Sequence, residues 1–163
     1  MNPQYIVDGY NLIYNIPRFR NFLDSSLEHA RNALIYFMQS YLSSRKVKIV
    51  IVFDGDEVGY VEQPPISNRW LKIIFSKPPE KADPIIKKLI QKNRNKKSLI
   101  LVSADNELVN FSNQHGIQVL SPEEFYHRLS KHPNQDQVDQ KFNSRVSEAE
   151  VDEWLKLFGE KKE

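Results

Sequence analysis

Apolar residues along this chain change their spacing several times, and each change marks an element. Tyr5-Ile6-Val7 is a short β-branched and aromatic run that stops at Asp8-Gly9, which predicts a buried strand. From Ser26 to Arg45 the apolar positions Leu27, Ala30, Leu34, Phe37, Met38 and Tyr41 recur at helical spacing, with Ser25 or Ser26 suited to cap the helix. Val47 to Phe53 is almost unbroken in Val and Ile and ends at Asp54-Gly55. A strand apolar on both faces belongs in a sheet covered on both sides.

Asp56 to Asn68 contains Gly59, Pro64 and Pro65 and reads as loop. Trp70 to Phe75 is strand-like. Asp83-Pro84 opens a helix to about Asn93, with Pro84 suited to the first helical position. Ser98 to Val102 is another buried strand, followed by a helix from Asn106 to Gln114 that Gly116 stops. Ile117 to Leu120 is a fifth strand, and Pro122 to Leu129 a helix capped by Ser121. Strands alternating with helices predict a three-layer α/β fold with a mostly parallel five-stranded sheet and right-handed crossovers.

The pattern then breaks. Residues 133–146 are polar and read as a linker after a domain of residues 1–132. In residues 147–159, Ser147 and Glu150 form a capping box. Val151, Trp154, Leu155 and Phe158 follow at i, i+3, i+4 and i+7. This is an amphipathic tail helix that docks on its own domain or on a protein partner.

Composition narrows the setting. The chain has 163 residues, 40% of them hydrophobic, which suits one core of ordinary size. It has no cysteine, which excludes disulfides and thiolate metal sites and fits a reducing compartment. The Val/Ile-rich run Ile49 to Phe53, like every other apolar run, is far too short to cross a membrane, and no signal peptide is visible, so a cytoplasmic location is expected. Residues 1–135 carry 18 Lys/Arg against 13 Asp/Glu, and residues 136–163 carry 5 against 8. A basic body with an acidic tail permits a nucleic-acid partner without requiring one.

The candidate chemistry lies in aspartates. In open parallel sheets, ligands bind beyond the carboxyl ends of the strands. Asp8, Asp54 and Asp105 each follow a predicted strand, and Asp83 begins a helix on that same edge. Each alone has an ordinary reading: Asp83 and Asp105 as helix caps, Asp54 as the start of a turn. Together they predict converging carboxylates. Two anions ~4 Å apart repel by roughly 4 kcal/mol at an effective dielectric near 20. A divalent cation removes that cost, and hard oxygen donors favour Mg²⁺ or Mn²⁺. Such a site suits phosphodiester cleavage by metal-activated water. Lys87, Lys88, Lys92, Arg94, Lys96 and Lys97 place six positive charges within eleven residues, either an RNA-binding patch or a solvated helix end. Arg18, Arg20, Tyr10 and Tyr14 are expected in a loop after the first strand, where the tyrosines could stack on bases.

Five short stretches, in this order, carry a resemblance: Ile6-Val7-Asp8-Gly9-Tyr10-Asn11, Leu27-Glu28-His29-Ala30-Arg31, Val52-Phe53-Asp54-Gly55, Lys81-Ala82-Asp83 and Val102-Ser103-Ala104-Asp105. The chain resembles the NYN family, and within it the YacP-like ribonucleases of the PIN-like superfamily. The resemblance implies strand order 3-2-1-4-5, Mg²⁺ or Mn²⁺ dependence, and endonuclease activity on single-stranded RNA, including mRNA on the ribosome. It implies that Asp8, Asp83 and Asp105 are the catalytic and metal-binding carboxylates, and Asp54, from its place at the same edge, is expected to support them at the metal. Asn11 would orient Asp8 or contact RNA, Ser103 would hydrogen-bond within the site, and Arg31 would face phosphates or brace the first loop. Arg18, Lys81 and Asn106 are further substrate-binding candidates. The chain departs from the family at Pro84, where a second acid is common, and at Asn106, where a basic residue is common. An RNA- or ribosome-binding module with weak catalysis is the rival reading. A phospho-acceptor receiver lacks its acidic pair here, because Gly9 follows Asp8, and position 10 is Tyr rather than the second acid of an Asp-x-Asp phosphatase.

Overall fold

The computed structural model describes residues 2–43, 45–55 and 68–131. The expected linker and tail helix, and residues 56–67 of the expected loop, lie outside these. The described elements are β1 (Gln4–Asp8), α1 (Gly9–Asn15), α2 (Pro17–Arg20), α3 (Leu27–Leu42), β2 (Lys48–Phe53), β3 (Leu71–Phe75), α4 (Ala82–Lys92), β4 (Leu99–Val102), α5 (Asn106–Gln114), β5 (Gln118–Leu120) and α6 (Pro122–Ser130). Short 3₁₀ turns at Asn21–Asp24 and Lys96–Ser98 fill two of the connections.

The five strands form one parallel sheet in the order β3-β2-β1-β4-β5, as the resemblance implies. The interiors of β1, β2 and β4 are apolar on both faces, and the alternation sends each face to a different core. Tyr5, Val7, Ile49, Ile51, Phe53, Ile100 and Val102 pack with residues of α1, α3 and α6. Ile6, Val52, Leu99 and Leu101 pack with Ala82, Ile86 and Ile90 of α4 and Leu108 of α5. The result is an α/β/α sandwich, the arrangement a fully buried parallel sheet requires.

Register sets the height of the functional edge. Asp8 pairs with Val52 of β2, and Val7 pairs with Val102 of β4. Asp54 and Ser103 therefore leave the sheet beside Asp8.

Local capping follows side-chain chemistry. Ser26, Asp105 and Ser121 accept hydrogen bonds from the backbone N–H groups of His29, Leu108 and Glu124. Gly116 ends α5 with φ 70°, the left-handed conformation that favours glycine.

Residues 9–24 differ from expectation: they are helical rather than a loop. Leu12, Ile13, Ile16 and Phe19 form a buried i, i+1, i+4, i+7 face against the sheet. Pro17 splits this face, because it forces Ile16 out of the helical region (φ −111°, ψ 111°). That interruption hides the helical period.

Candidate metal and RNA site

Asp8 is the last residue of β1 and sits just before α1. Its Oδ2 accepts a 3.1 Å hydrogen bond from the Ser103 hydroxyl, one residue past β4. The same hydroxyl oxygen accepts from the Asp105 backbone N–H at 3.1 Å. Ser103, itself buried, thus ties the Asp8 carboxylate to the backbone of Asp105. Asn11 adds a second tie, since its side-chain oxygen accepts from the Ala104 N–H at 2.9 Å. Asn11 therefore fastens α1 to the β4–α5 turn.

Asp83 does not cap α4. The helix starts one residue earlier, at Ala82, with Lys81 in the cap position and no side-chain cap bond. Asp83 is the second helical residue, so its carboxylate is not spent on an N-cap. Asp105 does cap α5, through one oxygen to the Leu108 N–H at 3.1 Å, which leaves the other oxygen available.

A cleft of about 370 Å³ opens over this edge, lined by Asp8, Tyr10, Asn11, Tyr14, Asp54, Lys81, Ala82 and Asp83. Asp83, Asp105 and Glu107 can each present an oxygen within 4.8 Å of the others. Burial, then the charge of Asp83, push the Asp8 carboxyl up to about 7, against the opposing pull of the Ser103 hydrogen bond. Asp105 adds to the rise, and the nearby Asn11 backbone amide works against it. Asp83 is also raised, first by burial and then by the charges of Asp105 and Glu107. These carboxylates oppose one another's ionisation, as expected of groups that a cation would relieve.

The donors at this edge are carboxylate oxygens, those of Asp83 and Asp105 partly buried and that of Glu107 exposed, within the range one small ion can bridge. They fit a hard divalent cation.

The other expected site residues divide. Lys81 lies on the cleft, 3.9 Å from Asp54. Asn106 is exposed at the start of α5. Arg31 is buried: it donates to the Tyr10 hydroxyl at 3.1 Å and lies over the Phe75 ring. It braces α1 from beneath rather than facing solvent. Arg18 is not in the cleft. It lies over the Phe37 ring and lines a separate cavity with Asn21, Phe22 and Tyr126. Tyr10 is buried against Phe53, whereas Tyr14 is 48% exposed at the cleft.

The basic run is also divided. Lys96 donates to the Ile90 and Asn93 carbonyls and so caps the end of α4. Lys88 pairs with Glu80 and Lys87 with Glu107.

Sequence reasoning missed Glu107 and read Lys87 only as one charge of the basic run. Glu107 is the second residue of α5, the same helical position that Asp83 holds in α4. Acids there are common because the helix dipole favours them, so each looks unremarkable alone. The matched position on two helices at one sheet edge was the available signal.

The sequence pattern of the YacP-like NYN domain matches residues 5–158. The chain belongs to the YacP-like NYN domain family. The match runs past α6 into the polar stretch and the tail. A relative from Bacillus subtilis (strain 168), named as an uncharacterised protein YacP, is 37% identical over 86 residues. That alignment covers 53% of this chain and 50% of that protein, so this chain matches about half of the relative's length. A crystal structure of Rae1 (YacP) from Bacillus subtilis is similar with TM-score 0.68 and 27% identity, covering 98% of this chain and 94% of that one. A single-substitution mutant of the same protein gives TM-score 0.68 at 24% identity, covering 94% and 91%. The fold is thus that of a PIN-like NYN domain. NYN domains are generally nucleases. No helix among the described residues is long and apolar enough to cross a membrane.

Proposed function

We propose that this protein is a Mg²⁺- or Mn²⁺-dependent endoribonuclease acting in the cytoplasm on single-stranded RNA, with translated mRNA as the substrate class its family implies. One observation carries the reading: acids from four distant segments, Asp8, Asp54, Asp83 and Asp105, gather at one sheet edge beside an open cleft. Within a nuclease-type family, that arrangement has an immediate use.

Asp83, Asp105 and Glu107 would hold the ion, with Asp8 and Asp54 flanking it. When bound, such an ion lowers the pKa of a coordinated water and offsets charge growing on the phosphate.

The remaining work falls to the chain. Ser103 fixes the orientation of Asp8 through its hydrogen bond. Asp8, whose carboxyl titrates near neutrality without a cation, can take or return a proton there. Lys81 at the rim offers a positive charge to the RNA backbone, and exposed Tyr14 offers a ring face to a base. Arg31 acts indirectly, holding Tyr10 and with it the start of α1. The tail of residues 147–159 is assigned to docking, on this domain or on a protein partner.

The test is incubation of the purified protein with end-labelled single-stranded RNA in Mn²⁺, Mg²⁺ or EDTA, alongside Asp8→Asn and Asp83→Asn. Internal cuts that need the ion, and that both substitutions abolish, are expected. RNA held but uncut under every condition, with or without ribosomes, would replace the nuclease with an RNA-binding module.

A further inference from the structure

Lys87 lies four residues after Asp83, on the same face of α4. Its ammonium hydrogen-bonds Oε1 of Glu107 on α5, and Glu107 is the acid able to bring an oxygen within 4.8 Å of those of Asp83 and Asp105. The lysine stem is largely covered and its Nζ lies 5.5 Å from the Phe111 ring centre. Its side chain is 28% exposed, whereas that of Glu107 is 69% exposed. The cation is therefore held in place while its carboxylate partner is open to solvent and can turn. Nothing in the folding of either helix requires this pair, since α5 is capped by Asp105 and packed through Leu108.

We propose that Lys87 is a tethered counter-cation of the carboxylate cluster, occupying Glu107 until a divalent ion takes it over, so that this lysine sets how tightly the site holds metal. The inference rests on the metal-site reading above and deepens it. A single ammonium balances only part of the charge of three clustered acids, and a divalent ion brings twice as much. Once the ion binds, Glu107 exchanges one positive partner for another, and the ammonium stays nearby as a repelling charge. Both effects lower the apparent affinity for metal. A site so tuned rests in a partly neutralised state instead of as a bare knot of anions.

Coulomb's law sets the size of the effect. A unit charge ~5 Å from a divalent ion in a largely water-exposed setting changes affinity by about tenfold. The experiment is calorimetric titration of the intact, EDTA-stripped chain with Mn²⁺, comparing the wild type with Lys87→Met, Lys87→Gln, Lys87→Arg and Glu107→Gln. Circular dichroism confirms that each variant is folded. The two neutral substitutions are expected to tighten Mn²⁺ binding about tenfold, Lys87→Arg to stay within about threefold of wild type, and Glu107→Gln to weaken it. Unchanged or weaker binding by both neutral variants, with the wild type binding normally, overturns the role of Lys87 alone. No Mn²⁺ binding by the wild type or by any neutral variant overturns the metal site itself, and the lysine's role with it.

Discussion

Replacing Asp8 by Asn should make the metal-free protein more stable while removing the acid proposed for cleavage. The Asp8 carboxyl titrates near 7 in the folded chain, against 3.8 for a free aspartate. A proton is thus bound more tightly in the folded than in the unfolded state. Such a group favours folding at pH values below about 4 and loses that contribution as pH rises through about 7. At 1.36 kcal/mol per pH unit, holding Asp8 ionised costs the metal-free fold about 4 kcal/mol at most. Residual solvent contact at this cleft reduces that to roughly 2 kcal/mol. The substituted asparagine carries no charge, and its side-chain oxygen can still accept from Ser103. For a domain of this size, about 2 kcal/mol corresponds to a Tm gain of about 4–8 °C. The assay is thermal melting in EDTA between pH 4.5 and 8.5. The Asp8→Asn advantage should be small at pH 4.5, grow to pH 7 and level off. Saturating Mn²⁺ should reverse the ranking, because only the wild type gains fully from the ion. A pH-independent difference, or a variant less stable than wild type at pH 8, would refute the argument.

Other outcomes follow from the same contacts. Ser103→Ala removes the hydroxyl that joins Asp8 to the Asp105 amide, so the Asp8 titration midpoint should rise and the fold should lose about 1–2 kcal/mol; carboxyl NMR shifts read the first effect and urea melts the second. Asp83→Asn should move the Asp8 midpoint down instead, since Asp83 is the largest charge raising it. Gly55→Ala should destabilise by about 3 kcal/mol, because a Cβ there would lie 1.9 Å from the Ser76 carbonyl oxygen, and thermal melting checks it. Gly9→Ala should cost less than Gly55→Ala in the same melt: its Cβ would meet the Phe53 ring at 2.4 Å, a side chain that can shift.

The sheet was readable because its three central strands are apolar on both faces, a pattern with few other homes. Val47 to Phe53 and Ser98 to Val102 predicted β2 and β4 to within a residue or two. Asp8, Asp54 and Asp105 were legible for the same reason, since a parallel sheet has one chemically active edge. Residues 9–24 were not, because Gly9 and Pro17 are turn residues by habit, and the face formed by Leu12, Ile13, Ile16 and Phe19 is broken between them. Arg18 and Arg31 look alike on paper. Their fates were decided by tertiary packing against Phe37 and against Tyr10 and Phe75, which local spacing does not encode. Glu107 was obscured because an acid in a first helical turn is ordinary, and only the meeting of α4 with α5 makes it otherwise.

The Ser103 hydroxyl joins Asp8, near the beginning of the chain, to the backbone of Asp105, far along it. A nascent chain has the first acid long before it has the serine or the second. No product of translation that stops short of Asp105 can assemble the pocket, and a cut between β1 and β4 that lets the sheet part would dismantle it. A nuclease of the kind proposed would thereby stay inert until β4 and the turn that follows it have been made.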